Sequence, residues 1–179
     1  MAKAIFLDRD GVINANMVRD GRPYAPTRIE DFILLSGVPE AVAALRDAGF
    51  LIIVVTNQPD IATGKQTRAT VDLMHKFMRQ RVPLDDIEVC SHVALDNCDC
   101  RKPKPGMLLS AAKKHDIVLE QSWMIGDRWS DVEAGRAAGC RTVFVDYGYP
   151  ADPRPDRPDF VVGSLAEAVP IVLNKPRGT

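Results

Sequence analysis

Four short apolar runs in this sequence are each followed by polar side chains that could act together in one site. The clusters are Asp8-Arg9-Asp10-Gly11, Thr56-Asn57, Arg101-Lys102, and Gly126-Asp127 with Asp131. Any one of them could be an ordinary turn or helix cap, because Asp, Asn and Thr are common at both. In an open parallel sheet, however, ligands bind at the carboxyl ends of the strands, so four such clusters in order indicate one site.

The acidic members of these clusters predict a metal ion. Asp8, Asp10 and Asp127 would place several negative charges at one point, which is unfavourable unless a cation lies among them. Carboxylate oxygens favour Mg²⁺, an ion that usually takes one or two carboxylates together with an oxygen of a substrate phosphate. Such a site can bring a phosphoryl group against a carboxylate although both are negatively charged.

The remaining groups then predict a phosphatase that works in two steps. Asp8 would be the nucleophile and would form an aspartyl-phosphate. Asp10 would give a proton to the leaving group and later remove one from the attacking water. The Lys102 amine and the Thr56 hydroxyl would bind the other oxygens of the phosphate.

Strands and helices alternate along the chain, which is typical of an α/β fold with a mainly parallel sheet. Strands are predicted near Ala4 to Leu7, Leu51 to Val55, Ile87 to Cys90, Trp123 to Ile125, Thr142 to Val145 and Phe160 to Val162. Helices are predicted over Pro39 to Ala48, Thr67 to Arg81, Pro105 to His115, Ser130 to Ala138 and Leu165 to Leu173. Pro170 should weaken the last helix, and His75 is expected to be an ordinary helix residue. The segment from Tyr149 to Pro158 holds four prolines and predicts an irregular loop.

Length and charge narrow the possible functions. A chain of 179 residues suits a single domain over residues 1–179 that buries its core without disulfides. Its 23 Lys and Arg against 24 Asp and Glu provide no bulk positive field for nucleic acid or an anionic membrane. The apolar stretches are of strand length, and the N-terminus shows no signal-peptide pattern. We therefore expect a cytoplasmic monomer that acts on a small molecule and binds neither nucleic acid nor a membrane.

The residues and their order resemble the haloacid dehalogenase (HAD) superfamily of phosphatases. Its four motifs resemble, in turn, Asp8 to Asn14, Thr56, Lys102, and Gly126-Asp127 with Asp131. The resemblance implies a doubly wound, Rossmann-like sheet. Members often insert a cap domain after the first motif or between the second and third, but residues 12–50 and 58–100 leave no room for one. We therefore expect an open site whose selectivity is made by loops.

The resemblance also implies roles for the acidic residues. Asp8 would be both nucleophile and Mg²⁺ ligand, and Asp10 would be the acid and base and bind the metal through its carbonyl oxygen. Asp127 would complete the protein ligands. Asp131 would be a further ligand or would lie just behind the ligands.

A cluster of cysteine residues gives a resemblance to one particular branch of this superfamily. Cys90, Cys98 and Cys100 lie within eleven residues, which in a reducing compartment suggests a metal site rather than disulfides. The stretch Cys90-Ser91-His92, followed by Cys98-Asp99-Cys100-Arg101-Lys102, resembles the HAD branch that contains heptose bisphosphate phosphatases and histidinol-phosphate phosphatases. In that branch the Cys, His, Cys and Cys bind a structural Zn²⁺, which implies a small zinc-binding loop held by Cys90, His92, Cys98 and Cys100. Three thiolates and an imidazole fill a tetrahedral shell and leave no open position for catalysis.

The substrate contacts are predicted from the same branch. Arg101 and Arg128 would bind the distal part of the substrate, and two guanidiniums suit a second phosphate. Asn57 and Gln58 would contact the substrate next to Thr56, although Pro59 replaces the usual serine and has no N–H to offer. Tyr24 lies in a basic stretch, residues 15–28, that could shape the rim of the site.

The hypothesis is then a Mg²⁺-dependent phosphatase that removes the 7-phosphate of a heptose 1,7-bisphosphate, on the way to the ADP-heptose of bacterial surface polysaccharides. The alternative substrates are histidinol phosphate and other small phosphomonoesters. A phospho-receiver module or a non-catalytic sugar-phosphate binding protein would belong to another class. A receiver carries its phosphorylated Asp after a middle strand, whereas Asp8 follows the first. A silent binding protein would have little reason to keep Asp8, Asp10, Lys102 and Asp127 together.

Overall fold

The computed structural model describes residues 1–174 and confirms the predicted α/β fold. The strands are β1 (Lys3–Leu7), β2 (Met17–Arg19), β3 (Arg22–Tyr24), β4 (Phe50–Asn57), β5 (Asp86–Cys90), β6 (Trp123–Gly126), β7 (Arg141–Val145) and β8 (Phe160–Val162). The helices are α1 (Val38–Asp47), α2 (Arg68–Arg79), α3 (Gly106–His115), α4 (Trp129–Ala138) and α5 (Leu165–Asn174). Each predicted strand and helix is present with ends shifted by at most two residues. α5 continues through Pro170.

Six strands form one sheet in the order β5-β4-β1-β6-β7-β8, and all neighbouring pairs are parallel. The chain moves outward from β1 through β4 to β5 and then returns to place β6 on the other side of β1. The direction of winding therefore reverses between β1 and β6, which is where open α/β sheets bind their ligands. Asp8 follows β1 and Asp127 follows β6, so both lie at this switch point.

The central strand β1 is buried on both faces. Ile5 and Leu7 belong to one apolar cluster, whereas Ala4 and Phe6 belong to the cluster on the opposite face. Alternate side chains of a strand point to opposite faces, so helices must cover both sides of this sheet. This two-sided burial fixes the position of the backbone from which Asp8 emerges.

A small antiparallel hairpin, β2 and β3, was not predicted from the sequence. Its turn consists of Asp20 and Gly21, which both have positive φ values, 50° and 71°. An Asp-Gly pair of this kind is a strong hairpin signal, so the sequence did contain the information. Within residues 1–174, the β1–α1 interval holds only this hairpin and a short 3-10 turn, and the β4–β5 interval holds α2. The described chain therefore has no cap domain, as predicted.

No helix in residues 1–174 is long and apolar enough to cross a membrane.

Candidate active site

Lys102 joins the carboxylates of the first and fourth motifs. Its Nζ lies 2.9 Å from Oδ1 of Asp8 and 2.6 Å from Oδ1 of Asp131, and it donates to the Val55 carbonyl over 2.7 Å. All three charged side chains are buried. A buried charge pair is strong only when the other hydrogen-bonding groups of both side chains also have partners. The Val55 carbonyl is such a partner for the Lys102 amine.

Negative charge exceeds positive charge at this point of the structure. Burial, followed by the charge of Asp131, raises the pKa of Asp8 to about 7, against the lowering effect of Lys102. Burial, with the charges of Asp8 and Asp131, also raises the pKa of Asp127 well above its usual range. Burial opposes a charged Lys102, yet Asp131 and Asp8 together raise its pKa. One ammonium therefore does not balance the carboxylates around it.

The acidic residues fit a Mg²⁺ ion. Asp8, Asp127 and Asp131 each offer a carboxylate oxygen, and these oxygens lie within 4.8 Å of one another. Oδ1 of Asp127 is buried and has no hydrogen-bond partner in the described chain, so it is free to bind a cation. A Cβ at Gly11, where φ is +83°, would lie 2.1 Å from Oδ2 of Asp127, so glycine is required for this close approach. Hard oxygen donors of this kind suit Mg²⁺.

The carboxylate of Asp10 is held by a buried clamp. Arg9 donates to it through Nε and Nη2 over 2.9 to 3.2 Å. Asn14 donates to Oδ1 over 2.9 Å, and Gln58 donates to Oδ2 over 2.8 Å. Arg9 is fully buried, and its Nη1 lies 3.2 Å from Nε2 of His75 on α2. Residues from three separate parts of the chain thus fix the orientation of the Asp10 carboxylate.

Thr56 keeps its hydroxyl proton available. Its Oγ1 accepts a hydrogen bond from Gln58 Nε2 over 2.9 Å, and Thr56 is fully buried at the end of β4. Because a hydroxyl can donate one hydrogen bond while it accepts another, Thr56 can still donate to a phosphate oxygen.

Asn57 and Gln58, predicted as substrate contacts, have other partners in the structure. The side chain of Asn57 accepts from the Lys102 backbone N–H and donates to the Lys102 carbonyl, both over 3.1 Å. Gln58 is 1 % exposed and binds Asp10 and Thr56. These hydrogen bonds join both side chains to residues that are predicted to be catalytic, and their contact with a substrate stays a prediction.

His75 should make the stability of the protein depend on pH. A guanidinium only donates, so Nε2 of His75 must accept from Arg9 and the ring must be neutral. Burial, followed by the charge of Arg9, lowers the pKa of His75 to about 4. Between pH 6.5 and 4 the unfolded chain thus binds more protons than the folded chain, and stability is lost as the pH falls through this range.

We expect wild type to lose about 2 kcal/mol more stability than His75→Gln between pH 7.5 and pH 5. Gln keeps an acceptor for Arg9 but cannot be protonated in this range. Urea unfolding of both proteins at the two pH values measures this difference. Equal losses in the two proteins would contradict a neutral, buried His75.

The four soft ligands of the predicted zinc loop come together in the structure. The Sγ atoms of Cys90, Cys98 and Cys100 lie 3.2 to 3.7 Å apart, and Nδ1 of His92 is 3.3 Å from Sγ of Cys100 and 3.7 Å from Sγ of Cys90. Tetrahedral Zn²⁺ with bonds of about 2.3 Å separates its sulfur ligands by about 3.8 Å. The cluster therefore fits Zn²⁺, whereas Cys140 is a buried thiol outside it.

The residues predicted to bind the distal part of the substrate or to border the sugar are all at least partly exposed. Arg101 donates to the His92 carbonyl over 3.1 Å, which links it to the zinc loop. The guanidinium of Arg128 faces the Asp152 carboxylate, and Tyr24 is half-exposed on the hairpin.

Comparison with known proteins agrees with this geometry. A family model described as HAD-hydrolase-like matches residues 99–168. The D-glycero-beta-D-manno-heptose-1,7-bisphosphate 7-phosphatase of Pseudomonas putida KT2440 is 41 % identical over 151 residues, covering 82 % of this chain and 83 % of that protein. The enzyme of the same name from Escherichia coli K12 is 40 % identical over 178 residues, covering 92 % and 90 %. The chain belongs to this family of HAD phosphatases.

A solved member of the family has the same fold. The crystal structure of a D,D-heptose 1,7-bisphosphate phosphatase from B. bronchiseptica, complexed with magnesium and phosphate, superposes with a TM-score of 0.79 at 31 % identity. The match covers 96 % of this chain and 98 % of that one. The magnesium in that complex agrees with the Mg²⁺ that the acidic residues of this HAD phosphatase predict.

Sequence reasoning assigned no role to Arg9 within the first cluster of this HAD phosphatase, and it predicted His75 as an ordinary helix residue, whereas the structure brings the two into contact. Arg9 lies between two predicted catalytic residues, and an arginine side chain is normally expected to face solvent. His75 lies on the apolar face of α2 with Val71, Met74 and Met78. That face was the available signal, because a histidine on a buried helix stripe needs a polar partner.

Proposed function

We propose that the chain is a Mg²⁺-dependent phosphatase that removes the 7-phosphate of D-glycero-β-D-manno-heptose 1,7-bisphosphate. The observation that carries the proposal is the meeting of Asp8, Lys102 and Asp127 at the switch point of the sheet. Nucleophile, cation and metal-binding carboxylates lie there together, as an aspartyl-phosphate mechanism requires. The β-heptose bisphosphate is proposed because relatives about 40 % identical over most of both chains carry that name.

Asp8 performs the first step as nucleophile. Its Oδ1 accepts from the Arg9 backbone N–H over 2.8 Å and faces Lys102, which leaves Oδ2 to attack the phosphorus. Bound Mg²⁺, held by Asp8, Asp127 and the Asp10 carbonyl, would supply the positive charge that lets two anions meet. Lys102 and Thr56 bind phosphate oxygens. As the bond from Oδ2 to phosphorus forms, the bond from phosphorus to the sugar oxygen breaks.

Asp10 moves the protons in both steps. It enters the first step protonated and gives this proton to the departing sugar oxygen, which leaves as a neutral hydroxyl, and the second step restores the proton. In the second step it removes a proton from the water that attacks the phosphorus, and Asp8 is released together with inorganic phosphate. For this, one oxygen of Asp10 must exchange its contact with Gln58 or Arg9 for a contact with the sugar oxygen or the water.

The distal end of the substrate is bound by the rim. Arg101 and Arg128 contact the phosphate that is not removed, and Tyr24 borders the sugar. The protein acts as one domain over residues 1–179, as a cytoplasmic monomer, in the supply of ADP-heptose for surface polysaccharide. Asp131 serves behind the metal ligands, where it binds Lys102.

Turnover of three substrates tests the proposed function. With Mg²⁺ present, we expect kcat/KM for the β-heptose bisphosphate to exceed that for the α anomer and for histidinol phosphate by at least about tenfold. Phosphorus NMR should identify heptose 1-phosphate as the product. Faster hydrolysis of histidinol phosphate, or loss of the 1-phosphate, would overturn the assignment.

A further inference from the structure

The segment 147–154, which follows β7, folds over the β2–β3 hairpin at the edge of the active site. The backbone N–H of Ala151 donates to the Gly21 carbonyl over 3.3 Å. A Cβ at Gly21 would lie 2.8 Å from Cγ of Pro150, so the two turns are in close contact. Two segments that are far apart in the sequence thus form one continuous rim.

This rim reaches the metal-binding residues. Asn16 donates to Oδ2 of Asp127 over 2.7 Å and lies 3.0 Å from the hydroxyl of Tyr149. A cavity of about 250 Å³ opens between Asp127 and the segment, and Tyr147, Tyr149 and Asp152 are among the residues that line it. The cavity therefore connects the catalytic edge of the sheet with the carboxylate of Asp152.

Asp152 holds the guanidinium of Arg128 from the side. Nε of Arg128 lies 2.7 Å from Oδ2 of Asp152, and Nη2 donates to Oδ1 over 2.8 Å. Nη1 donates to the Pro23 carbonyl of the hairpin over 3.3 Å. The Asp152 carboxylate is 10 % exposed, whereas the Arg128 side chain is 35 % exposed. Arg128 is thus held from two sides but remains accessible.

A guanidinium has five N–H groups, and two of those on Arg128 donate hydrogen bonds, one to Asp152 and one to Pro23, while Nε forms only an ion pair with the Asp152 carboxylate. Nη1 and Nη2 each keep one further N–H, and these two suit two oxygens of one phosphate group. Arg128 directly follows Asp127 in the sequence, so an anion bound to it would lie beside the reaction centre. An arginine that is already held in place loses less conformational freedom when the anion binds.

We propose that Asp152 is a positioning residue that holds Arg128 for the phosphate that the substrate keeps, and so sets the preference for a bisphosphate over a monophosphate. This inference rests on the proposed function. Asp152 acts through Arg128 and does not touch the reacting phosphate. Its effect should therefore appear in KM for the bisphosphate and leave kcat unchanged.

The test compares heptose 1,7-bisphosphate with heptose 7-phosphate, which lacks the distal phosphate. Asp152→Ala should raise KM for the bisphosphate about tenfold and leave kcat, and both constants for the monophosphate, within about twofold. Asp152→Asn keeps one acceptor oxygen and should raise KM less. Asp156→Asn is the matched control: it removes the same charge from an exposed position of the same connection and should change nothing. Melting temperatures show whether each variant is folded.

A double-mutant cycle tests whether Asp152 acts through Arg128. The double variant Arg128→Ala with Asp152→Ala should have the same KM as Arg128→Ala alone. Additive increases would overturn the proposal, as would an equal rise in KM for both substrates. A lower KM for the bisphosphate in Asp152→Ala would also overturn it, because the carboxylate would then compete with phosphate for Arg128.

The wild-type protein separates this inference from the function on which it rests. If wild type does not hydrolyse the bisphosphate, the proposed function fails and the inference fails with it. If wild type hydrolyses the bisphosphate but Asp152→Ala leaves its KM unchanged, only the inference fails.

Discussion

Replacing Asp8 by Asn should lower kcat for the heptose bisphosphate by at least about 10⁴-fold, because an amide cannot form the aspartyl-phosphate. Asn has the shape of Asp and keeps an acceptor for the Arg9 N–H, so the end of β1 should be unchanged. Lys102 and Thr56 would still bind phosphate, and the variant should therefore retain substrate affinity. Phosphate release in steady state and in a single turnover measures the loss.

The stability of this variant provides the control. Burial raises the pKa of Asp8 to about 7, so its ionised form is unfavourable in the metal-free fold. We expect Asp8→Asn without Mg²⁺ to melt no lower than wild type at pH 8, where Asp8 is ionised. Inactivity with a normal melting temperature would then arise from chemistry alone. Turnover above about one per cent of wild type would refute covalent catalysis by Asp8.

The catalytic edge could be predicted because its residues follow strands that the sequence displays clearly. β1, β4 and β6 are apolar over nearly their whole length, and a parallel sheet brings their carboxyl ends to one edge. Asp8, Thr56 and Asp127 then had to lie close together. Their spacing along the chain added nothing to this inference, which depends only on the ends of the strands.

The clamp on Asp10 could not be predicted in the same way. Its Gln58 contact depends on how the ends of β1 and β4 meet, and the His75 contact behind Arg9 depends on how α2 packs. A sequence shows that α2 has a buried face but not which residue of another segment it meets. The pairing of Arg128 with Asp152 could not be predicted from the sequence either, because it depends on the path of the irregular, proline-rich segment that carries Asp152.

Asn57 shows how a motif can predict a position without predicting a role. The residue lies at the end of β4, next to Thr56, as a substrate contact would. Two hydrogen bonds to the Lys102 backbone instead engage its amide. The side chain links the second motif to the third, a function that becomes visible only when both strand ends are placed together.

The zinc loop should be needed for activity although its four ligands form a cluster separate from the acidic residues Asp8, Asp127 and Asp131. Cys98 and Cys100 directly precede Arg101 and Lys102, so the metal would hold the segment that delivers the lysine to Asp8. Burial, together with the contacts to Cys90 and Cys98, raises the pKa of Cys100 to about 12 in the metal-free fold. Zn²⁺ and the thiol proton of Cys100 therefore compete for the same sulfur atom.

We expect Cys98→Ser to reduce bound zinc from about one ion per chain to less than about 0.1, because a hydroxyl is a poor ligand for this metal. The free energy of unfolding should fall by about 3 to 5 kcal/mol. A shift of Lys102 by about 1 Å should lower kcat about 100-fold. Elemental analysis, urea unfolding and turnover measure the three effects.

Cys140→Ala is the matched control, since it removes a buried thiol that lies outside the cluster. That variant should keep its zinc and its turnover, even where the cavity lowers its stability. The two variants together separate the loss of a ligand from the loss of a cysteine. If Cys98→Ser loses its zinc but keeps wild-type kcat, the contacts of Lys102 with Asn57, Val55 and the carboxylates are enough to hold it in place and the metal does not support catalysis.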